Sequence, residues 1–294
     1  MILSTLDKSR KGGAYEQIPS LVLGQRWTPQ LNSRNMMKVV LCVWIEPYIE
    51  NDLPFCVWPV HTPTTSKEVL TLSASTSPLP YTGNKSCIVN TILSVMPKHT
   101  VYIDPCMGSA EVFFRKPRAE KEILNDYNGD LVNLFRVIQN NEKLAYLLGR
   151  LYLSINGELA FKQNKDRLKG VPNILDDVIE TSQIFYDASW EDIQNAAAFL
   201  ENQVYSFSST GQTFGIARRD MSQRLPRLMS AYNRIRDAII LHRDYKDVIT
   251  YAACPGSFIL LDPPYKGTED MYSKANFDIE QHDILFSFMS EVNQ

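Results

Sequence analysis

Asp262, Pro263, Pro264 and Tyr265 follow directly on the apolar run Phe258–Leu261, and the four residue types together suit the chemistry of a planar amine. An amine attached to a heteroaromatic ring delocalises its lone pair and is a poor nucleophile until acceptors hold its hydrogens. The Asp262 carboxylate and the Pro263 carbonyl are two such acceptors on adjacent residues. Consecutive prolines fix φ and extend each preceding residue, which gives a stiff turn with no competing N–H donor. The Tyr265 ring offers a stacking face, a contact of about 1–3 kcal/mol for a nucleobase. Holding the amine in line with an electrophilic carbon contributes roughly 7–11 kcal/mol by positioning. The plain alternative is a strand-ending turn that contains two prolines. The placement after a strand, where open α/β sheets bind ligands, favours the chemical reading.

Three further strand ends carry matching residue types. Val101-Tyr102-Ile103 ends at Asp104 and runs into Pro105-Cys106-Met107-Gly108-Ser109-Ala110, a small-residue turn that lets the backbone approach a nucleotide-like ligand. Ile123-Leu124 ends at Asn125-Asp126, and Ile239-Ile240-Leu241 is followed by Asp244. Acids in these places take ribose hydroxyls in nucleotide-binding sheets, or serve as ordinary helix N-terminal acids. The G-x-G-x-x-G fingerprint of NAD enzymes is absent from the sequence. Gly83-Asn84-Lys85-Ser86 resembles the end of a phosphate-binding loop, but the first glycine would fall at 78, which is Pro. That reading is rejected.

The elements that hold these residues alternate. Cys87–Met96 has helical apolar spacing, Ala110–Arg115 starts a helix, and Leu131–Leu148 reads as one strongly periodic helix. Phe258–Leu261 is apolar throughout, as a strand buried on both faces should be. The fold class is therefore α/β, with a parallel sheet. A long polar, aromatic-bearing insert occupies roughly 150–235, and one helix is expected over Ile279–Met289. Residues 1–77 read differently: turn formers interrupt the apolar runs, Val39–Ile45 is a candidate buried strand, and Thr62–Ser77 suits a linker. No chemistry is evident there, and 1–77 is an unassigned extension.

Bulk properties exclude several classes. The 294 residues hold 44% hydrophobic and 21% charged residues, an ordinary soluble balance. No apolar run approaches the roughly 18 residues of a membrane span, and no secretory signal opens the chain. Five cysteines without a C-x-x-C pair and four scattered histidines indicate neither a disulfide framework nor a zinc site, so no metal is expected and a cytoplasmic location follows. A net charge of −3 argues against non-specific coating of nucleic acid, yet Gly215–Lys246 holds eight basic residues against three acids.

As a set, these residues resemble the Dam-type family of adenine-specific DNA methyltransferases over about 78–290. Pro80-Tyr81-Thr82-Gly83-Asn84-Lys85 is similar to the family's opening motif, Asp104–Ala110 to its glycine-rich cofactor loop, and Ile123–Leu134 to its ribose-binding acidic motif. Asp244-Tyr245 resembles the pair near the cofactor adenine, and Asp262–Tyr265 the catalytic tetrapeptide. The resemblance implies a Rossmann-like methyltransferase sheet with an inserted, mostly helical DNA-recognition region. The catalytic domain is expected at 78–149 and 236–294, and the recognition region at 150–235. The implied reaction is methyl transfer from S-adenosylmethionine to a flipped adenine. Asp262, Pro263, Pro264 and Tyr265 are the implied catalytic set. Tyr81, Lys85, Asp104, Gly108, Asp126, Asp244 and Asp262 would hold the cofactor. Arg218, Arg219, Arg224 and Arg227 would hold phosphates of double-stranded DNA, and Tyr205–Ser209 falls in the same region. A restriction endonuclease is a further partner the resemblance admits. An RNA or protein-amide methyltransferase and a non-catalytic DNA- or cofactor-binding remnant stay open as alternatives.

Two departures from the family pattern carry consequences. Cys106 stands where phenylalanine is usual, and Ala110 where glycine is usual; a positive φ at Ala110 would cost roughly 1 kcal/mol. The chain also ends 29 residues past Tyr265, before the family's further strands. The sheet edge beside the catalytic strand is thus expected to be open unless a second polypeptide completes the fold.

Overall fold

Two short strands from the N-terminal extension close the edge that was expected to be open. The computed structural model describes residues 21–24, 39–45, 76–176, 188–217, 219–264, 284–285 and 287–288, the first two stretches by backbone alone. β1 (Leu21–Gly24) pairs antiparallel with β2 (Val39–Ile45). β2 then pairs parallel with β6 (Ser257–Leu261), Val39 opposite Phe258 through Cys42 opposite Leu261. The extension therefore supplies, within the same chain, the outer neighbour of β6.

The full six-stranded order is β1-β2-β6-β3-β4-β5, with β3 at Val101–Asp104, β4 at Lys121–Asn125 and β5 at Ile239–Leu241. Every pairing except β1 with β2 is parallel. β3 and β6 are buried at every position, as central strands covered by helices on both faces must be. One face carries α1 (Val89–Val95), α2 (Glu111–Arg115) and α3 (Gly129–Gln139), packed on Tyr102, Leu124, Phe258 and Leu260. The other carries α8 (Tyr245–Ala252) and Leu285, packed on Ile103, Ile123, Ile259 and Leu261. Ile284, Leu285, Ser287 and Phe288 are helical, and the rest of the expected 279–289 helix lies outside the described residues.

The single helix expected over 131–148 is two. α3 stops at Asn140, whose extended backbone ends one helix while its side chain accepts from the Lys143 N–H to cap α4 (Asn141–Tyr152). One asparagine thus acts as stop and start. α3, α4 and α5 (Glu158–Lys169) pack around α6 (Trp190–Tyr205), which opens on a Ser189–Asp192 capping box and is buried along most of its length, while α7 (Leu225–Ile235) packs on α3 and α4. This helical layer rests on α3, so the insert continues the core rather than standing apart from it.

The basic stretch 215–246 does not form one charged face. Arg234 is buried and meets Glu122 with both terminal guanidinium nitrogens, at 2.5 and 2.8 Å, while Lys116 meets the same carboxylate at 2.5 Å. Arg236 lies against Asp237. Arg243 turns inward at the sheet, so the exposed charge is smaller than the residue count implied.

Candidate active site

Four parallel strands end side by side, in the spatial order β6, β3, β4, β5, and each delivers a carboxylate at or just past its C-terminal end: Asp262, Asp104, Asp126 and Asp244. Neighbouring strands lie about 4.8 Å apart, so three steps span about 14 Å. The strand order switches sides at β3, with β4 on one side and β6 on the other, which is where open α/β sheets form their crevice. A single cavity occupies it. Tyr81, Lys85, Asp104, Gly108, Asp126, Asp244 and Asp262 all line it, together with Pro263 and Pro264. Tyr265 and Arg218 lie outside the described residues.

The turn after β3 is built for close approach. Met107 donates its N–H to the Asn125 carbonyl at 2.8 Å, and Gly108, at φ +48°, donates its N–H to Asp126 Oδ2 at 3.0 Å. A methyl built on Gly108 would meet the Tyr81 ring at an ordinary 3.7 Å, so it is the positive φ that favours glycine here. Ala110 has φ +55°, the left-handed conformation that made glycine the expected residue there. Its Cβ is buried in the core, and that packing offsets part of the strain.

Lys85 is drawn in from the loop 81–86. Its ammonium donates to the Gly83 carbonyl at 2.8 Å and forms a buried ion pair with Asp262 Oδ2. Asp126 also accepts from the Asn128 N–H at 2.9 Å. Burial raises the Asp126 pKa to about 6 even though backbone N–H groups of Asn128, Gly108 and Tyr127 favour its charge. Asp244 caps α8 through the Lys246 N–H at 2.9 Å. Asn125, wholly buried, ties three strand ends together: its amide donates to the carbonyls of Pro105 and Arg243 and accepts from the Arg243 N–H.

Asp104 is more strongly perturbed than Asp126. Burial raises its pKa to about 8, the Tyr102 hydroxyl opposes this by donating to Oδ2 at 2.9 Å, and the charges of Asp262 and Asp126 push it further up. Its Oδ1 is buried without a partner among the described residues. The folded chain holds this proton more tightly than the unfolded chain, whose carboxyl titrates near 3.9. Its contribution to stability is therefore best below about pH 4 and falls as pH rises through the window from about 4 to about 8. Asp104→Asn removes this titration. The melting temperature of that variant, taken relative to the parent without ligand, is expected to climb between pH 5 and pH 9; a difference that stays flat would count against a buried, proton-holding Asp104.

Sequence reasoning passed over Arg243. It lines the cavity beside Asp244, and its Nε and Nη1 are buried without hydrogen-bond partners among the described residues. An arginine between a short strand and an acid gives no periodic signal, so only the fold reveals it. Of the basic residues expected to face phosphates, Arg219 donates to the Val204 carbonyl at 2.7 Å, Arg224 is partly buried, and Arg227 is exposed. Burial, then the charges of Arg227 and Arg219, lower the Arg224 pKa.

Comparisons with known proteins agree with this geometry. The family model described as D12 class N6 adenine-specific DNA methyltransferase matches residues 81–294. "Modification methylase LlaI" of Lactococcus lactis subsp. lactis is 21% identical over 240 residues, covering 76% of this chain and 36% of its own length. "Modification methylase StsI" of Streptococcus sanguinis is 25% identical over 236 residues, covering 74% and 34%. "Type II methyltransferase M.CviBI" of Paramecium bursaria Chlorella virus NC1A is 22% identical over 192 residues, covering 64% and 68%. The chain thus spans about a third of the length of the first two relatives.

Proposed function

The chain belongs to the D12 class N6 adenine-specific DNA methyltransferase family, and from that premise we propose that it transfers a methyl group from S-adenosylmethionine to the exocyclic amine of adenine in double-stranded DNA. The observation that carries this reading is the row of four strand-end carboxylates along one cavity, with Asp262 at one end and Asp244 at the other.

The residues present fit the cofactor. The buried Oδ1 of Asp104, without a partner among the described residues, is a ready acceptor for the cofactor's ammonium N–H groups, and the Asp262 carboxylate suits its positive charge. Asp126 faces the Gly108 turn and suits ribose hydroxyls. Asp244, with Tyr245 and Arg243, lines the far end where the nucleobase belongs. When bound, S-adenosylmethionine supplies a sulfonium methyl for direct displacement by the amine nitrogen. Asp262 and the Pro263 carbonyl accept the two amine hydrogens and localise the lone pair, while Pro264 keeps the corner rigid. Lys85 provides the counter-charge that holds Asp262 in place. Tyr265 stacks on the base, which leaves the duplex to reach the cavity.

The helical region 150–235 is the DNA-recognition part, with Arg218, Arg219, Arg224 and Arg227 on phosphates, and 78–149 with 236–294 is the catalytic part. A restriction endonuclease of the same sequence specificity is the partner that relatives named modification methylases suggest. Among the described residues no helix is long and apolar enough to cross a membrane, and a cytoplasmic location accords with a DNA substrate. The direct test offers methyl-tritiated S-adenosylmethionine with unmethylated DNA, with RNA and with protein acceptors. Label is expected in DNA alone. Label in RNA or protein, or cofactor binding without any transfer, would overturn the proposal.

A further inference from the structure

The loop 81–86, which carries both Tyr81 and Lys85, is held to the rest of the molecule by side chains. Its backbone bonds only to itself and to the start of α1 among the described residues: Asn84 N–H to the Tyr81 carbonyl at 3.2 Å, and Ile88 N–H to the Lys85 carbonyl at 3.0 Å. Three side chains reach outward. Tyr81 lies over Gly108, Lys85 pairs with Asp262, and Thr82 Oγ1 donates to the Ser209 carbonyl at 3.2 Å, across 127 residues of sequence.

Ser209 belongs to a tight hairpin of the insert. Phe207 N–H donates to the Thr213 carbonyl and Gly215 N–H to the Tyr205 carbonyl, both at 2.8 Å, while Gly211 N–H reaches the Ser206 hydroxyl at 2.9 Å. Ser208 and Ser209 both adopt the left-handed conformation, at φ +50° and +56°, although neither is glycine. Non-glycine residues are uncommon there and persist where the surroundings impose the conformation. The direction of the Ser209 carbonyl depends on that pair, so a turn that relaxes would swing it away from Thr82.

Resting on the methyltransferase reading, we infer that Thr82 is a positioning residue that couples DNA engagement by the hairpin 206–214 to cofactor binding. DNA held by the insert fixes the hairpin. The fixed Ser209 carbonyl then holds Thr82, and the loop keeps Tyr81 over the Gly108 turn and Lys85 on Asp262. Coupling between two ligands is reciprocal and typically amounts to 5–150-fold.

The test measures equilibrium binding of S-adenosylhomocysteine, with and without saturating unmethylated bulk genomic DNA, so it does not depend on turnover. DNA is expected to tighten binding about tenfold in the parent protein. Thr82→Val, which keeps the shape and loses the donor, should reduce the tightening by DNA to twofold or less, each affinity being compared with that of the same variant without DNA. Thr82→Ser, which keeps the hydroxyl, should restore it. The inference is overturned if DNA does not tighten binding in the parent, or if the tightening survives in Thr82→Val. Methyl transfer by the parent protein, scored separately, reports on the proposed function; transfer in the parent without any tightening by DNA sinks the role of Thr82 alone.

Discussion

Asp262→Ala is expected to lower the rate of methyl transfer by at least about 10²–10³-fold, the usual consequence of removing one group aimed at a developing charge. The carboxylate stands at the end of the buried strand β6, where Pro263 and Pro264 prevent it from drifting. Its loss leaves the amine with one acceptor and its lone pair in the ring. Lys85 also loses its anionic partner in a buried place, and the remaining cation opposes a sulfonium. Affinity for neutral S-adenosylhomocysteine should change much less than the rate, and affinity for DNA hardly at all. Single-turnover rates beside the two dissociation constants check this. Retained turnover would remove Asp262 from the chemistry.

The second large effect concerns DNA. Replacing Arg224 and Arg227 together by alanine should weaken binding and flatten its salt dependence, because each phosphate contact contributes about −0.9 to the slope of log K against log salt. Two lost contacts lower the slope by about 2. Arg227 is exposed, and Arg224 lies near it and Arg219, a grouping that favours an anion in front of them. Arg219 is a poorer choice for substitution, since it also holds the Val204 carbonyl. Binding isotherms at several salt concentrations are the measurement. An unchanged slope would move the phosphate contacts elsewhere.

The strand ends were legible in the sequence because each is an apolar run stopped by an acid, and a parallel sheet brings such stops to one edge whatever lies between them. The glycine turn was legible for a related reason: Gly108 and Ala110 stand where a left-handed backbone is wanted, and both adopt it. Other features depend on partners far away in the chain. Nothing near Val39–Ile45 announces a pairing with Phe258–Leu261, more than two hundred residues later. A charge count cannot tell Arg234, buried on Glu122 and over the Phe113 ring, from Arg227 in solvent. The break at Asn140 escaped because apolar spacing continues almost in phase across it, and only the cap geometry shows the stop. Arg243 and the tie from Thr82 to Ser209 carry no pattern at all. They are products of the fold.

Nucleoside analysis of the reaction product tests the central claim most directly. Unmethylated DNA incubated with the protein and S-adenosylmethionine is digested to nucleosides and separated by mass and retention. N6-methyl-2′-deoxyadenosine should accumulate with the parent protein and be absent with Asp262→Ala. Methyl groups on cytosine, or no methylated nucleoside despite tight binding of S-adenosylhomocysteine, would contradict an adenine amine activated at the Asp262 corner.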